Sequence, residues 1–204
     1  MDSDVTQATA ADTRQVIISA AFACFRTTGL RKTTIVDIAR AADVSRSTIY
    51  EYFRDKETIV EACAEAASHR FYRNMVTAID RHGGTTLEGR LVRAAVFIAQ
   101  ARRSVEPEAY FDSEEVNLML TKNAATLLQE CAEFLAPYVS AARVTGEVRA
   151  DLDVQLATEW FARMLFSLFT TPSPYFDVRD DEAVAEFVRA HVVRGFIDDR
   201  TRRR

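Results

Sequence analysis

"TTIVDIARAADVSRSTIYEYF", residues 33–53, is the stretch whose reading decides the fold. Thr34 is a helix-capping residue type, and Asp37, three positions on, completes a capping box and suits the positive end of the helix dipole. The helix they open, about residues 35–42, gathers Ile35, Ile38, Ala39 and Ala42 on one side. Asp43-Val44-Ser45 interrupts it, and Ser45 caps another short helix that runs to about Phe53. Upstream, Val16, Ile17, Ala20, Ala21, Cys24 and Phe25 recur at the 3.6-residue period of a helix from about Thr13, with Gly29 placed to end it. Downstream, Asp55 caps a fourth helix through Ile59, Ala62, Cys63, Ala66 and Ala67 towards Ile79.

Two short helices across a three-residue turn form a helix-turn-helix corner, a geometry that can place the second helix in the major groove of DNA. Ile49 and Phe53, at i and i+4, are expected to anchor that helix on Ile38, Phe25 and Ile17. Its outer face then offers Ser45, Arg46, Ser47, Thr48, Tyr50 and Tyr52, hydroxyls and a guanidinium that reach phosphates or base edges. Lys56 and the first peptide N–H groups of the fourth helix form a candidate phosphate site.

The charge distribution supports this reading only when taken by segment. The 204-residue chain has a formal net charge of −4, which alone argues against a nucleic-acid partner. Residues 26–56, however, hold seven Lys/Arg against four Asp/Glu, whereas residues 61–199 hold 14 against 22. A ligand meets the field within a Debye length, about 8–10 Å, so the local surplus is what matters.

Beyond residue 80 the pattern stays helical. Thr85 with Glu88 opens a helix to about Arg103, Pro107 suits the first turn of a short one, and Ser113 caps a long one through Tyr138 that Pro137 should kink or divide. Asp151 or Asp153 caps the apolar run Leu156–Phe169, and a last helix spans about Asp181 to Ile197. The expectation is an all-α protein of about nine helices: a helix-turn-helix DNA-binding domain over residues 1–56 and a helical bundle over residues 57–204.

Other chemistries find little support. Cys24, Cys63 and Cys131 are scattered and form no CxxC pair, which reads as reduced thiols in a cytoplasmic protein. His69, His82 and His191 are isolated, and no HExxH, GxSxG, P-loop or GxGxxG pattern occurs. No catalytic residue, metal site or cofactor is expected. The polar, acidic start lacks the order of a secretory signal, and no apolar run approaches a membrane span, so no membrane association is expected.

The wording of residues 20–63, "AAFACFRTTGLRKTTIVDIARAADVSRSTIYEYFRDKETIVEAC", closely resembles the DNA-binding domain of the tetracycline-repressor (TetR) family. Ala20-Ala21, Phe25, Gly29, Thr33-Thr34, Ile38-Ala39, Val44-Ser45, Thr48-Ile49-Tyr50, Tyr52-Phe53 and Lys56-Glu57 carry the resemblance. One departure is Asp43, where the family usually has glycine in the turn; Asp tolerates a left-handed backbone, so the turn is expected to survive. The resemblance implies operator contacts from Thr34, Arg46, Ser47, Tyr50, Tyr52 and Lys56. It further implies a homodimeric repressor on palindromic double-stranded DNA, released by a small-molecule effector, with the fourth helix as lever.

Dimerisation would then use the last two long helices, with Phe166, Phe169, Phe187, His191 and Phe196 as candidates. Candidate effector contacts are Phe97, Tyr110, Phe111, Asn117, Leu120, Leu127, Phe134, Trp160 and Met164, whose character suits an apolar or aromatic molecule. The same aromatics describe a plain core, and a helical-bundle carrier or enzyme with an incidental corner is the competing reading. The final Arg200, Arg202, Arg203 and Arg204 suit either a solvated tail or extra phosphate contacts.

Overall fold

The computed structural model describes residues 2–81, 86–105, 123–192 and 196, which form two compact units divided between Phe71 and Tyr72. Among the described residues there are eight α-helices and no strand, and no helix is long and apolar enough to cross a membrane. The expected short helix at Pro107 and the expected start at Ser113 lie outside the described residues, as does the C-terminal arginine tail.

The first unit begins with α1 (Asp2–Thr28). It starts well before Thr13 because residues 2–12 contain neither Gly nor Pro to stop a helix. Its inner face buries Ile17, Ile18, Ala20, Ala21 and Phe25. Gly29 ends it at φ +86°, with its N–H on the Phe25 carbonyl at 3.0 Å. α2 (Ile35–Ala41) and α3 (Arg46–Tyr52) follow as read from sequence, capped by Thr34 and Ser45. α4 (Lys56–Asp80) opens with a reciprocal cap: Thr58 N–H donates to Asp55 Oδ1 at 2.9 Å and Asp55 N–H to Thr58 Oγ1 at 3.3 Å.

Ile17, Ile38, Ile49 and Ile59, each fully buried, join Phe25 and Phe53 in one core, as the i, i+4 pattern required. Removing each such side chain from water is worth about 1.5–3 kcal/mol. Ile59, Ala62 and Cys63 belong to this core, and the first compact unit runs through Phe71.

The second unit contains the end of α4 with α5 (Leu87–Val105), α6 (Ala124–Val144), α7 (Val154–Thr170) and α8 (Asp181–Phe187). α7 packs on α6 and α5, and α5 also packs on α8. Phe161, Leu165 and Leu168 of α7 are buried, as are Leu91 of α5 and Leu135 and Val139 of α6. Thr158, buried beside them, satisfies its hydroxyl on the Val154 carbonyl at 2.8 Å.

Several helix ends differ from expectation. Thr86, not Thr85, caps α5, accepting from Gly89 N–H at 3.2 Å. Other ends agree with it: Asp153 caps α7, and α8 starts at Asp181 with Asp180 as its cap. α6 runs through Pro137 undivided. The last helix changes to a π-turn over Val188–Val192 instead of continuing as α-helix.

Candidate nucleic-acid interface

The α2–α3 corner is built from local hydrogen bonds. The Thr34 hydroxyl accepts from Asp37 N–H at 3.3 Å, and Thr34 N–H donates to Asp37 Oδ2 at 2.9 Å. The Thr34 hydroxyl also lies 2.6 Å from Asp37 Oδ2, so it is engaged within the capping box. Hydrogen bonds from the Thr34 side chain and backbone hold the Asp37 carboxyl below the usual carboxylate range.

The turn itself is a Schellman closure. Val44 N–H reaches the Ala39 carbonyl at 3.0 Å and Asp43 N–H reaches the Arg40 carbonyl at 3.3 Å. This closure needs a left-handed residue, and Asp43 supplies it at φ +55°. The same closure ends α6, where Gly146 takes the position at φ +74°. Asp43 therefore performs a glycine's backbone role while adding an exposed carboxylate to the corner.

On α3, Ser45 Oγ accepts from Thr48 N–H at 3.0 Å and lies 2.6 Å from Ser47 Oγ and 2.9 Å from Thr48 Oγ1. Arg46 and Ser47 are exposed, and Tyr50 is 48% exposed. Tyr52 instead lies partly against the unit's core, while Ile49 beneath is fully buried. The helix is thus fixed by its inner face and presents a guanidinium, hydroxyls and one phenol outward.

Two neighbours complete the corner. Arg54 pairs with Asp55 at 3.1 Å, which its capping bonds already orient. Lys56 turns inward, its Nζ on the Leu30 carbonyl at 2.6 Å and the Arg31 carbonyl at 3.4 Å. Sequence reasoning also missed Thr33, whose buried hydroxyl donates to the Gly29 and Cys24 carbonyls at 2.8 and 3.2 Å. The Thr-Thr doublet after a glycine stop was its one local signal. Arg14, 5.2 Å above the Phe53 ring, had none.

In the second unit the expected effector and dimer residues divide differently. Phe97, Leu127, Phe134 and Met164 are half-buried; Tyr110, Phe111, Asn117 and Leu120 lie outside the described residues. Phe134 sits 5.0 Å from the unanticipated Tyr72 and 6.0 Å from Tyr138, whose ring Arg90 overlies at 5.3 Å. Burial raises the Tyr72 phenol and pushes the Cys131 thiol up to about 12.

Trp160, expected at the effector site, is 43% exposed and pairs at 5.7 Å with Phe196, expected at the dimer face but buried in its own chain. Phe187 stacks on Phe176 at 4.8 Å and meets the exposed His191 at 5.4 Å, while Phe166 and Phe169 are half-buried. Among the described residues, no three His, Cys, Asp or Glu side chains are grouped to hold a metal.

Residues 17–63, which hold this corner and its supporting core, match the family model described as bacterial regulatory proteins, tetR family. Over these residues the chain is similar to the tetR family. The HTH-type transcriptional regulator BetI of Yersinia pestis (strain Pestoides F) is 30% identical over 104 residues, covering 51% of this chain and 46% of BetI. The match thus spans about half the length of that relative. An uncharacterized HTH-type transcriptional regulator of Mycobacterium bovis is 29% identical over 150 residues, 72% of this chain and 76% of that protein. Among solved structures, FadR from Bacillus subtilis in complex with stearoyl-CoA has the same fold. Its TM-score is 0.58 at 22% identity, over 86% of this chain and 97% of FadR.

Proposed function

We propose that this chain is a member of the tetR family and a cytoplasmic DNA-binding transcriptional repressor that works by binding rather than catalysis. The observation that carries the reading is the α2–α3 corner: Ile49 and Phe53 lock α3 to the core while Arg46, Ser47, Thr48 and Tyr50 face outward or to its edge. Arg46 is suited to guanine or phosphate, and Ser47, Thr48 and Tyr50 to phosphate oxygens and base edges. Thr34 and Ser45 hold the two helix starts in register.

A homodimer would carry two copies of α3 to half-sites separated by roughly 34–36 Å, one turn of the duplex, or a multiple of it. α7 and α8 suit the dimer face, since α7 leaves Leu156 66% and Trp160 43% exposed. Release would follow from a small apolar or aromatic effector that binds one helix arrangement better than another, by no more than that difference in affinity. FadR, of the same fold, is complexed with stearoyl-CoA, an apolar chain on a polar carrier.

The test is fluorescence anisotropy against palindrome-bearing fragments from the neighbourhood of its own gene, at increasing salt. Sequence-selective binding that weakens steeply with salt is expected. Equal affinity for scrambled duplex at moderate salt would refute the reading, and a metabolite extract that dissociates the complex would lead to the effector.

A further inference from the structure

The α1–α2 loop and the start of α4 are joined by a contact that changes the role of Lys56. Three successive carbonyls of the loop are engaged: Gly29 by the Thr33 hydroxyl at 2.8 Å, Leu30 by Lys56 Nζ at 2.6 Å, and Arg31 by the same Nζ at 3.4 Å. Leu30 packs partly on the unit's core, whereas Arg31 and Lys32 are exposed. The loop is therefore fastened by its backbone on one side and offers two cations on the other.

Read from the sequence, Lys56 and the α4 N-terminus form a phosphate site, and the geometry argues otherwise. At the first turn of α4 a carboxylate already stands: Asp55 Oδ1 accepts from Thr58 N–H at 2.9 Å and its Oδ2 holds Arg54 at 3.1 Å. A phosphate there would meet that carboxylate. The Lys56 ammonium, drawn back to two carbonyls, is spent on the loop.

We infer that Lys56 is a positioning residue that acts on DNA through the α1–α2 loop, and that Arg31 and Lys32, held by it, make the phosphate contacts. This rests on the DNA-reading proposed above. It predicts a double-mutant cycle that is non-additive, because Lys56 has no independent contact to lose once Arg31 and Lys32 are gone.

The cycle compares Lys56→Met, Arg31→Met with Lys32→Met, and all three together, by anisotropy on a 30-bp mixed-sequence duplex at low salt. Lys56→Met should weaken binding in the parent chain but by less than about twofold in the Arg31→Met, Lys32→Met background. Lys56→Arg, which keeps charge and donors, should restore it. Without DNA, amide exchange across residues 29–34 should be about tenfold faster in Lys56→Met, the loss of one charge-assisted hydrogen bond, with far-UV circular dichroism unchanged.

Additive losses, with the slope of log affinity against log salt falling by a further ~0.9 per lysine, would place Lys56 on a phosphate itself and overturn the inference. Unchanged loop exchange would overturn it equally. A parent protein that fails to bind the duplex at all would instead overturn the DNA-reading beneath it.

Discussion

Asp43 allows the backbone and electrostatic consequences of one residue to be separated. It holds φ +55° in the turn between α2 and α3, and its own N–H and that of Val44 close the Schellman motif on Arg40 and Ala39. A left-handed backbone costs an ordinary L-residue about 1–2 kcal/mol, less for Asp or Asn, and nothing for Gly. Glycine gives back roughly 0.5–1 kcal/mol by loosening the unfolded chain. Asp43→Gly should therefore fall between neutral and about 1 kcal/mol more stable, Asp43→Asn within about 0.5 kcal/mol of the parent, and Asp43→Val about 1–2 kcal/mol less stable.

On DNA the carboxylate matters separately. At ~8 Å from a phosphate in water its repulsion is about 0.5 kcal/mol, reduced to a few tenths by physiological salt. Two copies in a dimer make Asp43→Asn tighter by roughly two- to threefold, with the gain shrinking as salt rises. Urea unfolding reads the first set of values and salt-dependent anisotropy the second. Asp43→Val as stable as the parent would show that the turn is not left-handed in solution. Asp43→Asn with unaltered affinity at low salt would show that the corner does not face phosphates.

Ile49→Ala, which empties a fully buried site under α3, should cost about 2–5 kcal/mol in urea unfolding and abolish duplex binding with it. Ser45→Ala removes the α3 cap and the centre of the hydroxyl cluster, for about 1 kcal/mol of stability; Ser45→Thr should retain most of it. Trp160→Glu, on the exposed face of α7, should leave helicity intact and convert the proposed dimer to monomer in sedimentation, and an undisturbed dimer would move the interface elsewhere. Asp37 and Asp55 both have carboxyls lowered in the folded state, the first chiefly by hydrogen bonds from Thr34 and the second chiefly by that from Thr58. Their stabilisation is fully present above the unfolded carboxylate value, about 3.9, and is lost as pH falls through the lower folded values. The urea midpoint should thus drop on acidification, and less so in Asp37→Asn with Asp55→Asn.

The corner was legible because its determinants are local. Thr34, Ser45 and Asp55 each satisfy an N–H three residues on, and the Ile38–Ile49–Phe53 core follows from a period that any helix imposes. What escaped depends on partners distant in sequence. Lys56 looks like a free cation until the carbonyls 25 and 26 positions away are in place. Trp160 and Phe196 belong to equally apolar stretches, yet one is 43% and the other 3% exposed, because burial depends on which helix lies opposite.

Pro137 shows the same division acting on a helix rather than a side chain. Its ring removes one N–H and opposes the preceding turn, a penalty of about 3 kcal/mol that sequence alone would resolve by ending the helix. In α6 the proline is exposed, so the disrupted turn faces water, while Leu135, Val139 and Ala142 around it are buried against the bundle. Burying side chains such as Leu135 and Val139 returns about 1.5–3 kcal/mol each, enough together to outweigh the break. The local rule was sound, and the tertiary term was larger. On that balance Leu135→Ala should do what Pro137 does not, and loosen the C-terminal half of α6, read as faster amide exchange from Tyr138 to Val144 than in the parent. Unchanged exchange there would mean that the helix spans the proline for some reason other than packing.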